Sequence, residues 1–160
     1  NNWRANKAKY ETVAAAVDLP PELVAAIHWR ESTADFSTYL HQGDPLGKAA
    51  VNWPTNIPVF HKWEDAAIHA LNSKGYVAEA LSLDAETEEF AALTTYAEFY
   101  NGLGYSYRDK PSPYVWAGTD QYKRGKFVSD GRYNSWTKDR QLGVTIMIEG
   151  IRAIEQAPQS

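Results

Sequence analysis

The sequence predicts a mainly α-helical fold. Two observations carry that expectation. Apolar residues recur at three- and four-residue spacing in several windows, the period of a helix with one buried face. Clusters of turn residues, "DLPPE", "HQGDPLG" and "NGLG", fall between those windows. A length of 160 residues suits one domain with a real core. The expectation is a single domain over 1–160, a piece of a longer protein because the chain starts at Asn1 and not at Met.

The first helix is expected over 3–17, where Trp3, Lys7, Tyr10, Val13, Ala14 and Val17 recur at helical spacing. "DLPPE" ends it and starts a second helix over 21–32, with Asp18 as cap and the prolines in a first turn. Residues 41–47 form a turn cluster. Residues 48–62 look irregular or briefly extended, with Pro54 and Pro58, and a short hairpin is allowed near 41–52. "KWEDAAIHAL" (62–71) is a third helix, which Gly75 ends. "AETEEFAALTTYAEFY" (85–100) is a fourth, stopped by "NGLG". From 103 to about 137 no period holds, and a stretch that long without one is often functional. Short helical turns such as "YVWAGTDQY" break it up. A closing helix spans 139–156, with Leu142, Ile146, Gly150 and Ile154 on one stripe.

Composition is globular, 44% apolar and 22% charged. There is no cysteine, which excludes disulfides, cysteine metal sites and thiol catalysis. No run reaches the roughly 18 apolar residues of a membrane span, and no signal peptide is visible. The net charge of −4 is uneven: residues 103–140 carry eight Lys or Arg against four Asp, a balance of +4, which leaves −8 for the remainder. A basic segment on an acidic chain suggests an anionic partner there, or a solvated loop. No H-E-x-x-H, Gly-rich phosphate loop or Cys/His cluster occurs, so neither metal nor nucleotide cofactor is expected, nor nucleic acid as a partner. His28 reads as a helix-surface or core histidine. His41, His61 and His69 have no supporting pattern. Trp3, Trp29, Trp63 and Phe99 read as core.

One residue breaks the pattern. Leu23, Ile27 and Glu31 stand four apart and share a helix face, so Glu31 follows the buried edge of the second helix. Burial raises a carboxyl's pKa, and a raised pKa is what a general acid needs to keep its proton near neutrality. Asp44 follows in a Gly-rich turn. A buried acid and an acid on a wet turn is an arrangement that glycoside hydrolysis uses. A Glu–Arg pair or a fraying helix end is the plainer account of Glu31.

The stretch A-x-x-x-x-E-S at Ala26 to Ser32 resembles the catalytic motif of the goose-type lysozyme and lytic transglycosylase group, with Glu31 at the acid and Ser32 after it. "ESTADFSTYLHQGD" resembles the goose-type stretch in which a turn aspartate follows at this spacing, here Asp44. "YNGLGY" (100–105) resembles the tyrosine motif at the end of a later helix, with Tyr100 at the tyrosine that lies near the acid. The three blocks stand in the same order and span about 20 to 105. "TYLHQGDPLG", "WEDAAIHAL" and "YNGLGY…PSPYVWAGTDQY…GK" are similar to phage endolysins and related bacterial cell-wall hydrolases. The G-L-M-Q block of the goose-type group has no counterpart beyond "PLG" (45–47), and its second acid has none, since Asp65 lies too far along.

The resemblance implies a lysozyme-like helical domain acting on bacterial peptidoglycan at the β-1,4 bond between N-acetylmuramic acid and N-acetylglucosamine. Glu31 would protonate the leaving oxygen and Asp44 would activate water, with Ser37 or Thr38 helping to hold it. Tyr100 and Asn101 would bond the acid or an acetamido group. Ser32 belongs to the binding set, as does Gln42 for a polar contact. Tyr105, Tyr114, Trp116 and Tyr122 are candidates to stack on sugars, although Tyr114 and Trp116 serve equally as core. A separate peptidoglycan-binding module outside this chain, a monomeric state, and synthesis in a host cytoplasm with action at the wall or after secretion complete the expectation. Two alternatives stand beside muramidase activity: a lytic transglycosylase with Glu31 as acid and then base, and a non-catalytic glycan-binding or phage structural domain on the same fold.

Overall fold

The computed structural model describes residues 2–157. It is mainly helical, with two compact units, Asn1–Glu88 and Glu89–Ser160. Among the described residues no helix is long and apolar enough to cross a membrane.

In the first unit, α1 (Asn2–Val17) packs on α2 (Pro21–Ser32) and on α3 (Trp63–Asn72). Trp3, Tyr10, Val13 and Ala14 form the buried stripe of α1. The helix ends at Asp18, whose backbone is left-handed. Asp18 does not cap α2 as expected. Pro20 occupies that position, with Pro21 in the first turn, and the Asp18 carboxylate instead accepts the Ala85 N–H at 3.0 Å. Gly75 does not close the helical region either: it opens α4 (Gly75–Ala80). Aromatic rings fill the core. Tyr10, His28, Phe36 and Trp63 lie with centroids 4.5 to 5.8 Å apart, mostly edge to face, the arrangement ring quadrupoles favour.

Residues 33–62 contain no strand, only turns and an isolated bridge between Thr38 and Pro45. The hairpin allowed near 41–52 does not form. The N–H groups of Val51 and Asn52, which a ladder would use, bond the Asp44 side chain instead.

In the second unit, α5 (Phe90–Asn101) packs on α7 (Pro113–Trp116) and on α8 (Val144–Gln156), with the single turn α6 (Gly104–Tyr107) between α5 and α7. The fourth helix was expected from residue 85. It begins at Phe90 because Asp84 and Thr87 bond the backbone N–H groups of Glu86 and Asp84, an alternative to the first helical turn. The closing helix begins at Val144, and its buried stripe is Val144, Thr145, Ile148 and Ile151. The expected stripe is shifted outward: Leu142 is 43% exposed and Gly150 is exposed. Strands β1 (Lys126–Ser129) and β2 (Arg132–Asn134) form an antiparallel hairpin around Asp130–Gly131, inside the stretch without a period.

Candidate functional site

Helix α2 is buried on most of its surface, with Leu23, Val24, Ala26, Ile27 and His28 wholly inaccessible. Glu31 continues the Leu23–Ile27 line one turn further and emerges half-buried. Just beyond it the chain turns sharply. Thr33 and Ala34 both have left-handed backbone, φ 54° and 60°, a region disfavoured for side chains with a Cβ and most of all for a β-branched one. The Thr33 N–H bonds Trp29 O at 2.9 Å and the Ala34 N–H bonds His28 O at 3.2 Å. Strain of this kind persists where the surroundings hold it in place and gathers at functional sites.

What holds this corner is His28. Its Nε2 lies 2.9 Å from the Asp35 backbone oxygen, which can only accept, so Nε2 carries the proton. Nδ1 then accepts from the Tyr10 hydroxyl at 2.8 Å. Burial pushes the ring down to about 4, outweighing the bond to Asp35 and its charge. Ser32 Oγ accepts the Asp35 N–H at 3.1 Å, so Ser32 serves the turn. The Ser37 hydroxyl and N–H both donate to Asp35 Oδ1 and keep that carboxyl below its ordinary value. Thr38 Oγ1 donates to Asp35 O at 3.2 Å.

Asp44 is not on a wet turn. It is 6% exposed. Its Oδ2 accepts the N–H groups of Val51 and Asn52 at 2.8 and 2.9 Å, and its Oδ1 accepts from Asn52 Nδ2. The Asn52 N–H contributes most to holding the carboxyl below its ordinary value, against the opposing effect of burial. The carboxylate thus organises the loop. Gln42 Nε2 donates to Pro54 O at 2.9 Å and ties the same segment. Between these anchors Trp53 stands 86% exposed and Val51 80% exposed. Trp53 was not singled out from sequence; its position between Asn52 and Pro54, in a loop rich in turn residues, was the available signal.

A second feature escaped the sequence reading. His41 Nε2 and His69 Nδ1 are 2.8 Å apart, with Phe60 packed against both rings. Burial first, and the His69 charge second, push His41 down to about 4. Residues 28 positions apart carry no spacing signal. Among the described residues no group of three or more imidazoles and carboxylates is placed to hold a metal ion.

The remaining expected residues belong to the second unit. Tyr100 and Asn101 are the last two residues of α5, half-buried and exposed respectively, and Gly102 beyond them takes a positive φ of 118°. Tyr105 and Tyr114 are core residues, 7% and 4% exposed, and not stacking platforms. The Tyr105 hydroxyl accepts the Phe127 N–H at 2.9 Å and so fastens the hairpin. Tyr122 is also buried; its hydroxyl donates to Gly125 O and accepts the Asp139 N–H, both at 3.0 Å. Trp116 is half-buried and lines a pocket of about 370 Å³ with Glu98, Ser106 and Ser112. Burial raises the Glu98 carboxyl above its ordinary value. Of the aromatics expected in the core, Trp3 and Trp63 are buried, Trp29 is half-buried and Phe99 is 37% exposed.

Compared with family models, with curated proteins and with solved structures, the chain matches none.

Proposed function

We propose that this chain is a lysozyme-like enzyme that cleaves the β-1,4 bond between N-acetylmuramic acid and N-acetylglucosamine in peptidoglycan, with Glu31 as its general acid. The observation that carries the reading is the corner at Glu31. A half-buried carboxyl stands in the last turn of a helix whose middle, Leu23 to His28, is interior, and two strained residues beyond it are held by His28 and Asp35. A rigid corner keeps the carboxyl aimed. The three motif blocks supply the substrate class, with the Glu31 and Tyr100 blocks both at helix ends.

Hydrolysis needs a water and a base to activate it. Asp44 is the base the motif order suggests. Its environment favours the second reading, in which Glu31 acts as acid and then as base and a hydroxyl of the sugar replaces water. A carboxylate has about four acceptor sites, and Asp44 fills three of them with protein donors while nearly buried. Digestion of purified peptidoglycan decides between the readings. New reducing ends mean a muramidase, anhydro-muramic ends mean a transglycosylase, and no cleavage means a binding or structural domain. Glu31→Gln keeps size and hydrogen bonding but has no proton to transfer, so cleavage should fall by about 10²–10⁴-fold. Near-normal cleavage by that variant removes Glu31 from the mechanism.

A further inference from the structure

The second unit carries a groove that the cleavage reading does not use. It is a shallow feature of about 410 Å³ between the segment at 110–111, the segment 120–124 and the end of β2. Lys110, Lys123 and Arg124 line it, opposed within it by Asp120 alone among the acids. Trp136 forms part of its wall and is 74% exposed. The Arg124 guanidinium lies over the Trp136 ring, 3.9 Å from its centroid, and the indole stays largely exposed.

The backbone around these exposed side chains is fixed. Asn134 Oδ1 accepts the N–H groups of Trp136 and Thr137 at 2.9 and 3.2 Å. The Gly125 N–H bonds Thr137 O at 2.7 Å and ties the two sides together. The Gln121 N–H bonds Thr119 Oγ1 at 3.1 Å. An exposed indole with a guanidinium stacked on it, held on a braced backbone, costs little ordering entropy when a ligand arrives.

The geometry points to a binding site for an anionic saccharide, with a sugar ring against the exposed Trp136 and its acid group against Lys123, Arg124 and Lys110. The cations select negative charge. The flat apolar face accepts the C–H face of a sugar. Asp120, Gln121 and Ser135 add the acceptors and donors that hydroxyl groups require. A nucleic acid also stacks and also carries charge, but its binders are strongly basic, whereas this chain has a net charge of −4 and a pI near 5.5. Lys110 and Pro111 also line the neighbouring pocket that contains Trp116, so the surface continues beyond one sugar, as a polymer would need. Sugar acids and sugar-phosphate polymers share this chemistry.

The test is titration of the whole chain carrying Glu31→Gln, so that binding is measured without cleavage, followed by tryptophan fluorescence and calorimetry. The probes are a carboxylated oligosaccharide, a glycerol-phosphate polymer, a neutral chitin oligosaccharide, inorganic phosphate and a single-stranded oligonucleotide. Binding of the carboxylated sugar, the phosphate polymer or both supports the site and identifies the source of the acid, provided the part of the binding that Trp136→Ala removes is at least about tenfold weaker for the neutral sugar and for inorganic phosphate, the order expected for losing one main contact. Trp136→Ala and Lys123→Glu/Arg124→Glu should each weaken binding by a similar factor, and Trp136→Phe should restore most of it; unchanged melting midpoints show that these variants fold. Equal binding of the neutral sugar that Trp136→Ala weakens to the same extent, equal binding of phosphate with Trp136→Ala silent, binding of the anionic saccharides that none of these variants weakens, tighter binding of the oligonucleotide, or no binding of any probe overturns the proposal. Because Glu31 is not one of the residues that line the groove, a chain that cleaves without binding here, or binds here without cleaving, separates this inference from the proposed activity.

Discussion

His28 should make the fold acid-labile in a defined window. The ring is wholly buried among Tyr10, Phe36 and Trp63, and both of its nitrogens are engaged in the neutral state. Protonation would put a second proton on Nδ1, where the Tyr10 hydroxyl now donates. Burial also lifts that hydroxyl's pKa above its ordinary value, which keeps it a donor. The Lys9 ammonium lies over the Phe36 ring at 4.4 Å and opposes a charged imidazole. The folded ring titrates at about 4 and the ordinary value is 6.5. Between those two values the unfolded chain takes up a proton that the folded chain refuses, so stability is present above 6.5 and is lost as pH falls toward 4. At about 1.4 kcal/mol for each unit, the whole shift corresponds to about 3 kcal/mol.

The perturbation is His28→Gln, which keeps a donor and an acceptor but cannot titrate. At pH 7 the variant should be less stable by about 1–3 kcal/mol, since Gln does not reproduce both hydrogen bonds and leaves a buried group unpaired. At pH 4.5 that difference should shrink by about 2 kcal/mol, because only the native chain has the linkage. Urea unfolding of both proteins at the two pH values measures this directly, and other titrating groups cancel in the comparison. A difference that stays constant between pH 7 and pH 4.5 refutes the argument and implies that the ring charges freely in the folded state. Because His28 bonds Asp35 across the corner beyond Glu31, activity should fall over the same window.

Two further outcomes follow from the packing. Trp53→Ala should leave the melting midpoint unchanged, because the side chain is 86% exposed, yet raise KM for peptidoglycan several-fold if the ring meets sugar; an unchanged KM assigns Trp53 no part in binding. Gly143→Ala places a Cβ 2.5 Å from Val115 O and 2.9 Å from Ala117 N, backbone atoms that cannot move aside, so it should destabilise by about 1–3 kcal/mol in urea unfolding.

The helices were legible where one face alternates with solvent. The bounds of α1, α2 and α3 follow their apolar stripes closely. Boundaries shifted where a side chain offered the backbone another partner, as Asp84 and Thr87 do before Phe90. The hairpin at 126–134 was legible too and was missed: Asp130–Gly131 between "FVS" and "RYN" is a two-residue turn signal. Glu31 stood out because a charge interrupts an apolar line. Tyr105, Tyr114 and Tyr122 could not be assigned from sequence, because a tyrosine in a polar loop reads as a platform until its hydroxyl is seen to bond Phe127 N–H or Asp139 N–H. The histidine pair depends on two segments meeting, which no local pattern encodes.

Asp44 is where motif order and local physics pull apart, and the two accounts predict different things. If Asp44 activates water, Asp44→Asn should abolish turnover and leave the fold intact. If it organises the loop, the first effect is structural. The long segment 33–62 has little regular structure, so its N–H groups must find partners one by one. Asp44 satisfies those of Val51 and Asn52, while the Tyr39 hydroxyl accepts the Phe60 N–H and donates to Lys48 O. Its carboxyl titrates below its ordinary value of 3.8, so it adds stability above that pH and withdraws it as pH falls through the lowered value. Asp44→Asn retains one acceptor oxygen, and the Asn52 side-chain amide can turn over to meet the new NH2 group. The loop account therefore expects a modest drop in urea midpoint at pH 7 that vanishes in acid, turnover reduced only in part, and a larger loss for Asp44→Ala, which leaves three donors without an acceptor. Peptide-level hydrogen exchange across 48–54 reads the loop separately from catalysis. Loss of turnover with unchanged exchange and unchanged midpoint would restore Asp44 to the reaction and with it the hydrolytic mechanism; faster exchange with partial activity leaves Glu31 as the single carboxyl that breaks the bond.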